Sequence, residues 1–230
     1  MVDIREALEK KTPESKATHE RSHRVLANVV AGTLDMPHPV YIREAKGARV
    51  TDVDGNEYID LTMGYGPHVL GHAPDVVIDA VKEAADRGLQ WALHNPYQEP
   101  LAGLVVDAVP CAEKVLFCNT GTEATMYAIR GARAYTGKSK IGLFDGSYHG
   151  AHDSVLVDAE KDSPREEPTF KSRGAGIPEE TLENVIMLPY REQAAFDLIR
   201  EHKDELAVVL LEPVQSSNPR LDQGDFLREL

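Results

Sequence analysis

From Lys114 to Val214 the chain alternates short apolar runs with stretches of helical spacing, and this alternation limits the fold more than any other feature. The runs KVLFC (114–118), KIGLF (140–144), NVIML (184–188) and AVVLLEPV (207–214) are near-continuously apolar. Strands buried on both faces have that character, and helices that cross over each side of a parallel sheet bury both faces. Helical spacing over 121–136, closed by Gly137, and over 191–203 supplies the covering layers. The expected class is α/β, a mostly parallel sheet with helices on both faces.

The first third reads differently. Residues 1–30 form a polar arm with some helical character. VYIRE (40–44) and ARVTDV (48–53) read as strands, Asp54-Gly55 as a hairpin turn, and EYIDL (57–61) as the return strand. A Gly-rich segment, TMGYGPHVLGH, covers 62–72. Helices are expected over 74–87, with Pro74 in the first turn and Gly88 at the end, and over 97–109, ended by Pro110. Residues 158–183 read as an exposed excursion, and 224–230 as the opening of a helix about two turns long without a C-cap. That ending is expected of a fragment or of one half of a larger unit. The division expected is an arm and hairpin segment, 1–72, and an incomplete large domain, 73–230.

Charge and composition exclude several functions. Lys and Arg number 25 against 38 Asp and Glu, a formal charge of −13, which opposes binding to a phosphate backbone. No run approaches the roughly 20 apolar residues of a membrane span. The charged N-terminus lacks the apolar core of a secretion signal, so the cytoplasm is the expected compartment. Cys111 and Cys118 flank a strand-like run that would hold them roughly 23 Å apart, too far for a disulfide. Both are expected reduced and buried.

Four segments carry polar groups at places where chemistry is possible. In NTGTEATMYAIRGARAYTG (119–137) an apolar run enters a Thr-Gly-Thr turn and then a helix. A helix N-terminus offers unpaired N–H groups and a partial positive charge, so Thr120, Gly121 and Thr122 form a candidate anion site. Thr120 and Glu123 also satisfy a capping box, which explains them without a ligand. In FDGSYHGAHD (144–153), just past a strand end, Tyr148 can stack on a flat ring and His149 can hydrogen-bond or titrate. A metal held by His149 and His152 with Asp145 and Asp153, and a loop with a structural role alone, are the competing readings. Glu212 ends an apolar strand, either in a site or in an ion pair with an arginine. Tyr65, between Gly64 and Gly66, either lines a pocket or sits in an exposed turn.

Taken together, the order and spacing of these segments resemble the class-III, fold-type I aminotransferases, with features of the glutamate-1-semialdehyde 2,1-aminomutase branch. GARVTDVDGNEYIDL (47–61) and GPHVLGHAPDVVIDAVKEA (66–84) are similar to the family's N-terminal hairpin and following helix. The segments around Gly121, Tyr148 and Glu212 are similar to its phosphate turn, ring platform and later active-site strand. The resemblance implies pyridoxal 5'-phosphate (PLP) as cofactor. Thr120, Gly121 and Thr122 would hold its phosphate, Tyr148 and His149 would meet its ring, and Glu212 would join the polar network. Tyr65 would lie at the substrate mouth. It also implies amino-group transfer on an amino acid or amino-aldehyde and a homodimer. Thr120 stands where the family usually has Ser, and QSSNP follows Glu212-Pro213-Val214 in place of the usual Gly-Asn or Gly-Glu. The family's lysine that bonds the cofactor lies downstream of that strand, yet the last lysine here is Lys203. The chain alone is therefore expected to be inactive.

Overall fold

In the computed structural model, which describes residues 3–27 and 36–230, acidic side chains start the N-terminal helices. The Asp3 carboxylate accepts from the Arg5 N–H and opens α1 (Ile4–Lys11). Helix α2 (Pro13–Ser22) begins at a proline and is capped from a distance. The Asp54 carboxylate accepts from the N–H groups of Glu14 (2.7 Å) and Ser15 (3.0 Å) and from the Ser15 hydroxyl (2.8 Å). Of the expected polar arm, residues 1–2 and 28–30 lie outside the described residues.

The hairpin expected at Asp54-Gly55 forms within a three-stranded antiparallel sheet, β1 (Ile42–Lys46), β2 (Arg49–Asp52) and β3 (Glu57–Ile59), in sequence order. Asp52 is fully buried but satisfied: its carboxylate accepts from the Asn56 N–H and amide and from the Tyr58 hydroxyl. Burial pushes the Asp52 pKa up, but those hydrogen bonds outweigh it and hold the group below its ordinary value. Helix α3 (Asp75–Ala85) follows, with Pro74 at the N-cap rather than inside the first turn.

The chain forms two compact units, Met1–Gln98 and Glu99–Leu230. The expected arm and hairpin segment falls in the first, which continues through α3. The division falls at the first residue of α4 (Gln98–Ala108), the rest of which belongs to the second unit. The run KVLFC, expected as a strand, is assigned none: it pairs with no strand among the described residues, and Leu116 is 71% exposed. A strand is stabilised by its ladder and by burial of its faces, and this run has neither. Its cysteines are free as expected, but Cys111 is exposed and Cys118 half-buried, which overturns their expected burial.

Helix α5 (Gly121–Thr136) ends at Gly137 in the left-handed conformation, φ +71°, and three residues later the chain enters β4 (Lys140–Phe144). The excursion is only partly irregular. Strands β5 (Val157–Ala159) and β6 (Phe170–Ser172) form a hairpin, and a short α6 (Glu179–Leu182) leads into β7 (Val185–Leu188). Helix α7 (Gln193–Glu201), β8 (Leu206–Leu210) and α8 (Gly224–Glu229) complete the unit.

The sheet has the order β7-β4-β8, all parallel, with β4 in the centre. Its residues alternate between two cores. Ile141, Leu143, Val185 and Met187 pack with Ile129 of α5 and with Val155 and Val157. Phe144, Ile186 and Leu188 pack with Ala195 and Leu198 of α7 and with Phe226 of α8. Gly142 lets that second face pack tightly: a Cβ there would lie 3.0 Å from Leu188 Cδ1 and 3.1 Å from Val209 Cγ2, so both side chains would have to shift. The doubly covered parallel sheet read from the continuous apolar runs is present. Among the described residues no helix is long and apolar enough to cross a membrane.

Candidate cofactor site

The site candidates of the second unit converge where strand ends meet the start of α5. Thr120 has extended backbone, and its hydroxyl accepts from the Glu123 N–H at 3.1 Å. The Glu123 carboxylate in turn accepts from the N–H groups of Asn119 (2.7 Å) and Thr120 (3.2 Å). The capping box is thus real, and it consumes Thr120. It leaves the Gly121 and Thr122 N–H groups without an acceptor among the described residues. A Cβ on Gly121 would meet nothing within 4 Å. Two unpaired N–H groups at the positive end of a 16-residue helix, facing open space, suit an anion.

Beyond the end of β4 the chain turns back onto this helix. The Thr122 hydroxyl accepts from the Ala151 N–H at 3.1 Å, so it fastens the turn rather than pointing free. At Gly150, φ +105°, a Cβ would lie 2.8 Å from Thr122 Cα, and only glycine permits so close an approach. Ser147 and His149 are buried in the turn, while Tyr148 is 55% exposed. A flat, exposed aromatic flanked by buried neighbours is suited to carrying a ring on its face.

The Glu212 carboxylate, half-buried past the end of β8, accepts from the Tyr148 N–H at 2.9 Å and the Ser216 N–H at 3.4 Å. Glu212 thus meets one backbone N–H of the ring turn and one of its own loop, and among the described residues it makes no ion pair with an arginine. His149 Nε2 is buried without a hydrogen-bond partner. Burial holds the His149 pKa below its ordinary value, against an opposing pull from the Glu212 charge, and so favours the neutral ring. His152 is likewise held low, first by burial. Its Nε2 lies 3.3 Å from the Thr125 hydroxyl. Among the described residues no three His, Cys, Asp or Glu side chains are grouped to hold a metal.

Three contributors escaped the sequence reading. Thr125, Gly150 and Gln215 all hold the ring turn, Gln215 through its amide to the Asp145 carbonyl (2.7 Å) and the Ser147 hydroxyl (3.0 Å). A Gly directly after Tyr148-His149 was the one local signal available. The partners of Thr125 and Gln215 are 24 and 70 residues away and leave no local trace. Tyr65 belongs to the first unit, where it is 74% exposed with φ +64° between two left-handed glycines.

Residues 30–222 match the sequence pattern of the class-III aminotransferases. The chain belongs to the class-III aminotransferase family. A glutamate-1-semialdehyde 2,1-aminomutase of Methanocaldococcus jannaschii is 43% identical over 227 residues, 96% of this chain and 53% of that protein. Among solved structures, an omega-transaminase from Sphaerobacter thermophilus superposes with a TM-score of 0.88 at 34% identity, over 94% of this chain and 51% of that one. A transaminase with PLP bound gives 0.84 at 33% identity, over 95% and 52%. This class-III aminotransferase chain spans about half the length of the relatives it matches. The incomplete fold-type I architecture expected from the sequence is what these likenesses show.

The α5 anion site, the exposed Tyr148 and the orphaned, buried His149 Nε2 fit the phosphate and ring of PLP. Within these 230 residues no lysine follows Glu212.

Proposed function

We propose that this chain forms the phosphate and ring side of a PLP site in an enzyme that transfers amino groups. The observation that carries the proposal is the pair of unpaired N–H groups at the start of α5, hydrogen-bonded through Thr122 to the turn that bears Tyr148. The phosphate would be held by the Gly121 and Thr122 N–H groups, and the ring would meet Tyr148, with His149 beside it. Bound PLP supplies an aldehyde that bonds amines and a ring that accepts electron density. Glu212 fixes the Tyr148 backbone, and burial favours the neutral form of His149 beside it.

The substrate proposed is an amino acid or amino-aldehyde. The name of the Methanocaldococcus jannaschii relative supports the amino-aldehyde side, and those of the two transaminases support amino-group transfer in general. The assembled enzyme is proposed to work in the cytoplasm as a homodimer, with Tyr65 at the substrate mouth. A second reading is favoured by the sequence after Glu212, which contains no lysine: these 230 residues bind the phosphate but do not complete the transfer.

Equilibrium dialysis of the purified chain tests the proposal, with PLP compared against pyridoxal, its form without phosphate. Binding of PLP, displaced by inorganic phosphate and much weaker for pyridoxal, is expected. Equal binding of the two would remove the anion site from the argument. Borohydride reduction and mass spectrometry then separate the two readings. A single modified lysine would show attachment within the chain, and no specific adduct would favour the half-site.

A further inference from the structure

One hydroxyl in the site touches both of its halves. Thr125 lies in the second turn of α5, and its hydroxyl donates to the His149 carbonyl at 2.7 Å. The same oxygen is 3.1 Å from the Gly121 carbonyl and 3.1 Å from the Thr122 carbonyl, the two residues whose N–H groups form the proposed anion site. A hydroxyl has a single proton to donate. In a helix it ordinarily goes to the carbonyl four residues back. Here the shortest contact is to the other segment.

The ring turn is therefore held at three places by two elements, the segment after β8 and helix α5. Glu212 takes the Tyr148 N–H, Thr125 takes the His149 carbonyl, and Thr122 takes the Ala151 N–H. Gly150 sits between the last two, where a side chain would strike Thr122. The Glu212 and Thr122 contacts belong to residues already placed in the site. The Thr125 contact comes from a residue to which the sequence assigns no ligand role, and it falls on buried His149, next to the exposed Tyr148. Rotation of the His149 peptide would move both side chains at once.

We infer that Thr125 is a positioning residue that sets the height of the Tyr148 ring above the phosphate-binding N–H groups. It acts through the His149 carbonyl and touches neither the phosphate nor the ring itself. The inference rests on the PLP reading above and deepens it. Loss of the hydroxyl should spare the anion site, because the Gly121 and Thr122 N–H groups belong to the helix backbone. Ring binding should be lost in part, because the platform is no longer fixed.

The test uses the purified full chain and the variants Thr125→Val and Thr125→Ser, with PLP and inorganic phosphate as separate probes in equilibrium dialysis. Amide exchange at Gly150 and Ala151 gives a readout that needs no cofactor. The Thr125→Val protein should bind PLP about tenfold more weakly, the size of one lost hydrogen bond. It should hold inorganic phosphate within about twofold of the parent and exchange the two amides faster. Thr125→Ser should restore all three values. Unchanged PLP affinity in Thr125→Val overturns the inference. So does an equal loss of phosphate and PLP binding, or a general loss of protection across β4, since either would make Thr125 a requirement of the fold. Failure of the parent chain to bind PLP at all overturns the cofactor reading instead, and is told apart by the parent measurement alone.

Discussion

At the residue scale, the polar side chains at the start of α5 are already paired, and the groups that remain free suit an anion. Thr120 and Glu123 cap each other, and Thr122 holds Ala151, which leaves backbone N–H groups at Gly121 and Thr122. Gly121→Asp would put a carboxylate in that space, and PLP and inorganic phosphate binding should both be lost in dialysis. Tyr148→Ala should weaken PLP binding by about 1 kcal/mol and leave inorganic phosphate unaffected. Protonation gives a third expectation. His149 and His152 have folded pKa values below their unfolded ones, so the unfolded chain binds more protons in the interval between. Stability should be full above about pH 6.5, the ordinary histidine value, and fall as pH drops below it. Asp60, Asp75 and Asp222 are also held low, Asp222 at about 2 chiefly by Arg220, and add a separate loss only below about pH 4. Urea midpoints measured between pH 7.5 and 5 should fall, and His149→Gln should flatten that part of the curve. A flat curve in the parent chain would contradict the assignment.

At the scale of elements, what the sequence made legible was whatever local chemistry encodes. The capping box at Thr120, the left-handed stop at Gly137 and the apolar runs of β4, β7 and β8 all appear where the residues indicate. What was not legible depends on partners far along the chain. KVLFC has strand composition but lacks a neighbour to pair with, so composition alone misled. Thr125 looked like an ordinary helix residue because its acceptor, the His149 carbonyl, comes 24 residues later. Within the exposed excursion the β5–β6 hairpin left no signal, because each strand has only three residues. Packing between elements yields two further expectations. Gly150→Ala should cost about 1–3 kcal/mol in a denaturation measurement, from its positive φ and its approach to Thr122. Leu188 is fully buried against α7, and Leu188→Ala should cost about 2–5 kcal/mol in the same assay.

At the scale of the whole molecule, the parallel order β7-β4-β8 leaves β8 with one strand partner among the described residues, and Leu116 and Phe117 stand exposed in an unpaired run. Apolar surface of this kind promotes self-association. Leu116→Lys should lower concentration-dependent light scattering without shifting the melting temperature, and unchanged scattering would place the sticky surface elsewhere. The central position of β4 has a different consequence. Its first partner, β7, begins only at Val185, and its second ends at Leu210. A ribosome adding roughly 5–20 residues per second would take about 3–13 s to travel from Phe144 to Leu210. Until β7 has been made, at Leu188, the nascent β4 has no strand to pair with, and its second partner comes only with Leu210. The time this segment spends in search of its neighbours, more than the strength of the finished sheet, would then govern how much newly made protein needs escort by a chaperone.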